Sequence, residues 1–215
     1  MIDLYFFPTP NGVKISIMLE ELGVPYNVKV VNIMKGDQHQ EDFLKISPNN
    51  KIPAIVDPDG PDGKPISIFE TGAIMQYLGR KYGKFYPQDE RTRVAVEEWL
   101  FWQVGGLGPM AGQAHHFVRF AEEKIPYAMD RYVNEAKRLY GVMDRRLDGR
   151  EFLVDDYSIA DMACFGWANR HEFHKVDFAA FPQVQAWFER LKARPAVQRG
   201  LDAGAELLEA LRPKK

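Results

Sequence analysis

Glu70 and Thr71 stand where a short alternating run, Ile66-Ser67-Ile68-Phe69, gives way to helical spacing. The first turn of a helix offers unpaired N–H donors and a partial positive charge, which suit a carboxylate. Thr71 adds a hydroxyl donor and Glu70 a charge that attracts an ammonium, so together they fit an α-amino-acid head. The plainer reading is that Glu70 favours the helix dipole while Thr71 caps. Lys51-Ile52-Pro53-Ala54 sets a proline directly before an apolar run. Proline cannot donate to a ladder, so it marks an edge or turn, either trans at a strand start or cis. Thr9-Pro10-Asn11-Gly12 places a hydroxyl and a carboxamide at the break between two further periodic runs. Ser158 and Asp161, three residues apart, have the form of a capping box and are expected to start a buried helix, not to touch substrate.

These segments need elements to hold them. Ile2 to Phe6 alternates as a strand, Val13 to Leu22 recurs at helical spacing up to Gly23, and Val28 to Val31 reads as a second strand. That βαβ unit favours a parallel pair with a right-handed crossover. Phe43-Leu44 and Ile46 suggest a short helix. Ala54-Ile55-Val56 and Ile66 to Phe69, separated by the Pro/Gly/Asp-rich 57–63, predict an antiparallel hairpin, and a helix follows from about Glu70 to Tyr82. The order βαβ-α-ββ-α is that of a thioredoxin-like domain, expected over 1–83. In that fold a cis-proline at Pro53 leaves the N–H and C=O of Ile52 open to an extended peptide, which adds as a strand.

Residues 84–90, with Pro87 and a charge run, predict a linker, and 91–202 an all-helical domain. Met129, Val133, Ala136, Leu139, Met143 and Leu147 share one helix face, with Pro126 in the first turn and Gly149 just past the end. Phe181-Pro182 starts another helix, which Arg194-Pro195 ends. Gly105-Gly106 and Gly108-Pro109 predict a bend or break, opening room for a second substrate near Trp102, Gln103 and Phe117, unless those side chains are core. Residues 203–215 form a tail, expected to be loosely held.

Ile52-Pro53, Glu70-Thr71 and Ser158-Ile159-Ala160-Asp161, in this order and separation, resemble the cytosolic glutathione transferases along the chain to about Gly200. The chain is most similar to the bacterial nu-class branch of glutathione-dependent disulfide-bond oxidoreductases. The segments that carry this are Thr9 to Gly12, Ser47 to Ile55, Phe101 to Met110 and Ile125 to Ala128. The resemblance implies glutathione, reduced or oxidised, as co-substrate. It assigns Thr9 and Asn11 to the sulfur, Ile52 and Pro53 to the cysteinyl unit, and Glu70 and Thr71 to the γ-glutamyl head. Gln38 and Arg131 match residues that reach the ligand in that branch. Both also suit a solvated surface. A homodimer is implied as well, with Arg131 acting across its interface.

A thioredoxin-type enzyme keeps two cysteines at the first strand–helix junction; this chain has Thr9-Pro10-Asn11-Gly12 there, so the attacking thiolate must come with glutathione. Holding a thiol of pKa ~8.5 mostly ionised at neutral pH requires about two units, roughly 3 kcal/mol. Hydrogen bonds to a charged group contribute roughly 1.5–3 kcal/mol each, so two donors suffice without a general base. The tyrosine that other transferases place near the sulfur has no match, and Tyr5 is not substituted for it. The leading expectation is reduction of small disulfides, with organic peroxides as further substrates. Conjugation of glutathione to electrophiles is the alternative, ahead of a non-catalytic binding or regulatory role.

Composition sets the outer limits. The 215 residues, with 46% apolar and 27% charged content, are those of an ordinary globular protein. A net charge of −2 gives no global basic field for nucleic acid. No run is long and apolar enough to span a bilayer, and Met1 leads into a strand without the pattern of a secretory signal. The single cysteine, Cys164, excludes an internal disulfide and fits a reducing compartment, so cytoplasm is the expected address. Its neighbours Met162, Ala163 and Phe165 mark it as a buried small hydrophobe. His115-His116 and His171/His174 lack a convincing third ligand, and no metal is expected.

Overall fold

The computed structural model describes residues 1–210, which form two compact units. The first comprises Met1–Tyr82 together with the described chain from Arg194 onward. Its four-stranded sheet has the order β2-β1-β3-β4, with β1 Ile2–Phe6, β2 Tyr26–Val30, β3 Ala54–Asp57 and β4 Ile66–Phe69. Ile2, Leu4 and Phe6 are buried while Asp3 and Tyr5 between them are not, so period-two alternation sets the face of β1. β1 runs parallel to β2, with Leu4 opposite Val28, and antiparallel to β3, with Leu4 opposite Ile55. β3 and β4 form the expected antiparallel hairpin.

Helix α1, Gly12–Leu22, buries nearly every residue from Val13 to Leu19 and stops at Gly23, whose φ of 71° is the left-handed conformation glycine adopts without strain. The short α2, Glu41–Leu44, buries Phe43, and α3, Thr71–Tyr82, buries Ile74, Met75 and Leu78. β2 begins at Tyr26, two residues before the apolar alternation that marks it, because an edge strand alternates half-buried with exposed residues instead of apolar with polar.

The second unit, Gly83–Ala193, is helical. Helix α4, Glu90–Trp102, opens with Asp89 accepting from Thr92 N–H; α5, Gly108–His115, follows through residues 103–107. No break occurs at the paired glycines. Pro109 cannot supply an N–H to the helix ladder, and residues 103–107 widen into a π-type turn in which Gly108 N–H reaches Gln103 C=O. A Cβ on Gly108 would lie 2.7 Å from Gln103 Nε2 and 3.1 Å from Trp167 Nε1, which explains the glycine. Helix α6 spans Pro126–Leu147, α7 Ile159–Ala168 and α8 Pro182–Lys192. The capping box is present: Ser158 accepts from Ala160 N–H, and Asp161 accepts from Ser158 N–H.

The packing divides the chain differently from the expected boundaries. Residues 84–90 are not a free connection, since Phe85 C=O accepts from Ile159 N–H at 3.0 Å and Tyr86 is buried. Pro195 ends α8 but also opens α9, Pro195–Leu201, which lies against α1. A Cβ on Gly200 would come within 2.6 Å of Ile17 Cα, and Gly200 C=O accepts from Ser16 Oγ at 2.6 Å. Arg194 pairs with Glu21 and Arg199 with Glu20 on the same contact. The expected tail carries a short helix α10, Ala205–Ala210; its last residues, 211–215, lie outside the described residues.

Candidate active site

Sheet register brings the proposed ligand-binding segments of the first unit to one end. Tyr5 near the end of β1 faces Ala54 at the start of β3, and Ala54 faces Phe69 at the end of β4. The loop leaving β1, the segment entering β3 and the junction from β4 into α3 therefore share one edge of the sheet. β2, parallel to β1, ends there too: Val31 N–H donates to Phe6 C=O at 2.9 Å. Thr9, Asn11, Gln38, Ile52, Pro53, Glu70 and Thr71 all belong to these four segments.

Thr9 C=O accepts from Val13 N–H, and Thr9 Oγ accepts from Gly12 N–H at 3.1 Å, so the hydroxyl is fixed at the start of α1 with its own proton left to donate. Asn11 is the residue that leads into that helix, half-buried beside it. The Ile52–Pro53 bond is cis. The Ile52 side chain packs with Tyr5 and Ile46 onto the cluster of Val31, Phe43 and Ala54. Among the described residues its backbone N–H and C=O make no backbone hydrogen bond, as an open strand edge requires. The turn before it is held by Ser47 Oγ donating to Lys51 C=O at 2.8 Å and by Asn50 at a φ of 49°.

Glu70 is exposed with a φ of 69°, a left-handed backbone rare for a side-chain-bearing residue, and its C=O opens α3 by accepting from Ile74 N–H. Thr71 follows, mostly buried. Gln38 sits in the 3₁₀ turn Asp37–His39 after β2, its Nε2 3.3 Å from His39 Nε2, and Asn50 Nδ2 is 3.3 Å from the other ring nitrogen. The buried Gln38 Oε1 has no protein partner among the described residues.

Tyr5 packs against Phe43 with ring centroids 5.9 Å apart, and burial together with the Asp3 carboxylate raises its pKa. A phenol held protonated inside an apolar cluster is poorly suited to be the group that ionises at the sulfur. Cys164 is buried in α7 of the other unit, surrounded by its own helix's apolar residues. Arg131 also belongs to that unit and is exposed on α6, where it lines a groove of about 690 Å³ with Met110, Tyr127 and Arg138. Of the residues expected at the second substrate, Gln103 is fully buried, Trp102 packs edge-on to Trp99, and Phe117 stacks on Tyr132 at 5.5 Å.

One residue of this region was not anticipated. Lys14 on α1 is 1% exposed, and its Nζ lies 3.5 Å from Thr71 Oγ. Its signal in the sequence is a lone lysine inside the apolar run Val13 to Leu19.

Among the described residues no group of His, Cys, Asp or Glu is arranged to hold a metal ion, and no helix is long and apolar enough to cross a membrane. Residues 9–81 match the family model of the glutathione S-transferase N-terminal domain, and residues 109–195 that of the C-terminal domain. The chain is 51% identical over 203 residues to the disulfide-bond oxidoreductase YfcG of Escherichia coli K12, with 94% of each covered. It is similar to a glutathione transferase structure from Pseudomonas putida with one glutathione disulfide bound per subunit, at TM-score 0.89 and 46% identity, covering 94% of this chain and 91% of that one. A Pseudomonas fluorescens family member with two glutathione bound gives TM-score 0.90 and 48% identity over 93% and 92% of the two chains. Matched in both halves and over nearly its whole length, the chain belongs to the glutathione S-transferase family.

Proposed function

We propose that this protein is a glutathione-dependent disulfide-bond oxidoreductase in which the reactive sulfur is supplied by glutathione. The observation that carries this reading is the β1–α1 junction. It presents the hydroxyl of Thr9 and the carboxamide of Asn11 and no thiol, while the single cysteine, Cys164, is 0% exposed in a helix core. The oxidoreductase relative and the neighbours with glutathione or its disulfide support the same choice of chemistry.

Glutathione lies extended along the open edge before Pro53, with its cysteinyl unit paired to the Ile52 backbone and its γ-glutamyl head at Glu70 and Thr71. Thr9 and Asn11 donate to the sulfur and hold it as thiolate. The thiolate attacks one sulfur of a substrate disulfide; the S–S bond breaks and the leaving thiolate takes a proton. A second glutathione thiolate attacks the resulting mixed disulfide, releasing the second substrate thiol and glutathione disulfide. The substrate gains two electrons, one from each glutathione, and the protein's own redox state is unchanged. Gln38 and Arg131 contact the ligand, Arg131 by a charge suited to a carboxylate and across a two-fold dimer. The buried lone thiol suits a reducing cytoplasm.

The test is turnover of a small disulfide with glutathione, followed by formation of glutathione disulfide. Activity that survives Cys164→Ala and collapses on Asn11→Ala supports the mechanism. Loss of activity with Cys164→Ala in a folded protein refutes it, and conjugation of a chloronitrobenzene without disulfide turnover transfers the protein to the conjugating enzymes.

A further inference from the structure

His39 stands between two segments of the proposed site and has no assigned part in it. Its Nε2 lies 3.3 Å from Gln38 Nε2 in the turn after β2, and its Nδ1 lies 3.3 Å from Asn50 Nδ2 in the turn before Ile52. Asn50 holds a φ of 49°, and its N–H donates to Ser47 C=O at 2.9 Å. One imidazole thus ties the Gln38 turn to the segment that presents the Ile52 edge.

Both carboxamides turn their NH2 groups toward the ring, and an NH2 group only donates. A neutral imidazole has one lone pair to accept with and an imidazolium has none, so both contacts cannot be hydrogen bonds in this sense. At least one carboxamide has to meet the ring with its oxygen. Gln38 is the one that gains by it, because its Oε1 is buried and has no hydrogen-bond partner among the described residues. A half-turn about the last side-chain bond, which leaves the shape of the group unchanged, gives that oxygen a ring N–H. It also brings Nε2 to the buried position, where its remaining N–H needs an acceptor.

Glutathione has one to offer. The sheet order β2-β1-β3-β4 sets the proposed γ-glutamyl anchor at β4 and the proposed cysteinyl edge at β3. A tripeptide continuing in that direction carries its glycyl unit toward the β2 side, where Gln38 follows the strand. A carboxylate only accepts, so it fits the NH2 end of Gln38 and not the oxygen. We propose that His39 is a positioning residue for the glycyl carboxylate: its Nε2–H holds the Gln38 oxygen, so that the carboxamide presents an N–H to the ligand. This rests on the glutathione reading above and adds the group that Gln38 reads. A glutamine side chain already held in its bound sense loses less freedom on binding, and that is the gain His39 supplies.

The experiment compares glutathione with γ-glutamylcysteine amide, which keeps the amino-acid head and the thiol but lacks the glycyl unit, on wild type and His39→Phe by calorimetry. His39 is exposed, and phenylalanine keeps a flat ring without either nitrogen. The variant is expected to bind glutathione about three- to tenfold more weakly, the cost of ordering one freed side chain, while the analogue changes by less than about twofold. In turnover the loss falls on KM for glutathione more than on kcat. Equal weakening for both ligands, or none for either, overturns the proposal, as does a wild type that binds the two ligands equally. Should His39→Phe fail to fold, the ring ¹⁵N resonances of His39 in the wild-type glutathione complex decide the matter. A proton on Nε2 supports the role; a bare Nε2 overturns it. Wild type without affinity for either ligand would instead sink the parent reading, an outcome visible before any variant is made.

Discussion

Phe69 of β4 faces Ala54 of β3 across an antiparallel ladder, and the next residues outward from that pair are Glu70 and Pro53. One cross-strand register thus sets the proposed anchor for the γ-glutamyl head beside the proposed edge for the cysteinyl unit. Because the side-chain period of a strand is two, a slip of one residue would turn both strands' faces over and dismantle the arrangement. The dry packing of Ile55 fixes the register on β3.

Glu70 itself holds a backbone that costs stability, with φ at 69°. Glu70→Gly is expected to relieve about 1 kcal/mol of left-handed strain. The freer unfolded chain offsets some of that, so Tm should stay level or rise by up to about 3 °C. Glutathione affinity should nevertheless fall by about tenfold or more, since the ammonium loses its partner. Glu70→Gln, which keeps the backbone conformation, should show the same loss of affinity. Calorimetric binding beside thermal unfolding reads both. Wild-type affinity in either variant would remove Glu70 from the site.

Thr9 caps the entry to α1 and, in the proposed site, also donates to the sulfur, so one substitution has two separate readouts. Thr9→Val takes the acceptor from Gly12 N–H, now 3.1 Å from Oγ, at about 1 kcal/mol of stability. It also removes a donor from the bound sulfur, so the thiol pKa of bound glutathione should rise by about one to two units. The acidic limb of the rate–pH profile moves up with it. Thr9→Ser restores both. Thiolate absorbance of the complex, titrated against pH, measures the shift directly; an unmoved titration in Thr9→Val would mean that the sulfur lies elsewhere.

What the sequence made legible were the devices that act over a few residues. Alternation in Ile2 to Phe6, Gly23 as a helix stop, the Pro/Gly turn before Ile66 and the Ser158/Asp161 box each declare themselves locally, and each stands in the fold where its chemistry puts it. The less legible features depend on partners far along the chain. Ser16 and Gly200 are 184 residues apart, and only their close approach shows that α9 packs on α1. Gly105-Gly106 and Gly108-Pro109 read as a bend or break, but helix winding absorbed Pro109 by widening. In the site, Glu70, Thr71 and Pro53 were visible as residue types at junctions, whereas the sheet register that unites them was not. Lys14 was hidden because a single polar residue in an apolar helix is usually placed at its surface edge.

Asp161 tests the structural reading of its motif. It is fully buried and accepts from Leu153 N–H at 2.9 Å, Ser158 N–H at 3.1 Å, Ser158 Oγ at 3.2 Å and Trp187 Nε1 at 2.9 Å. Asp161→Ala strands several buried donors at once and should cost about 3–5 kcal/mol, whereas Ser158→Ala, losing the cap alone, should cost about 1 kcal/mol. Neither residue belongs to the proposed glutathione site, so folded protein at low temperature should keep its KM. Thermal unfolding and KM together check this. A raised KM with little change in stability would make the motif part of the active site after all.

The histidines of the helical unit form a closed chain with a pH signature. His115 Nε2 lies 2.7 Å from His174 Nδ1, and His174 Nε2 lies 3.0 Å from the Tyr140 hydroxyl. In the contact between the rings one nitrogen must donate and the other accept, so a further proton on the accepting nitrogen breaks that bond. Burial, helped by the Arg119 and Arg170 charges, lowers the His115 pKa to about 4, and burial with the neighbouring His115 and His171 lowers that of His174 to about 3. An unfolded histidine titrates near ~6.5. Above that pH neither state binds the protons and the network costs nothing. As pH falls below it the unfolded chain takes up protons that the native state refuses, so stability drops, by up to about 1.4 kcal/mol per pH unit for each histidine until the native pKa values are reached. Asp161 acts in the opposite sense, because burial raises its pKa to about 6 and the native state gains that proton first. The double variant His115→Gln/His174→Gln, which keeps polar atoms but cannot titrate, should therefore be less stable than wild type at pH 7.5 and lose less of its Tm on going to pH 5. Thermal unfolding across that range is the measurement. Equal losses in the two proteins would show that the pair is protonated in the native state and that acid sensitivity has another source.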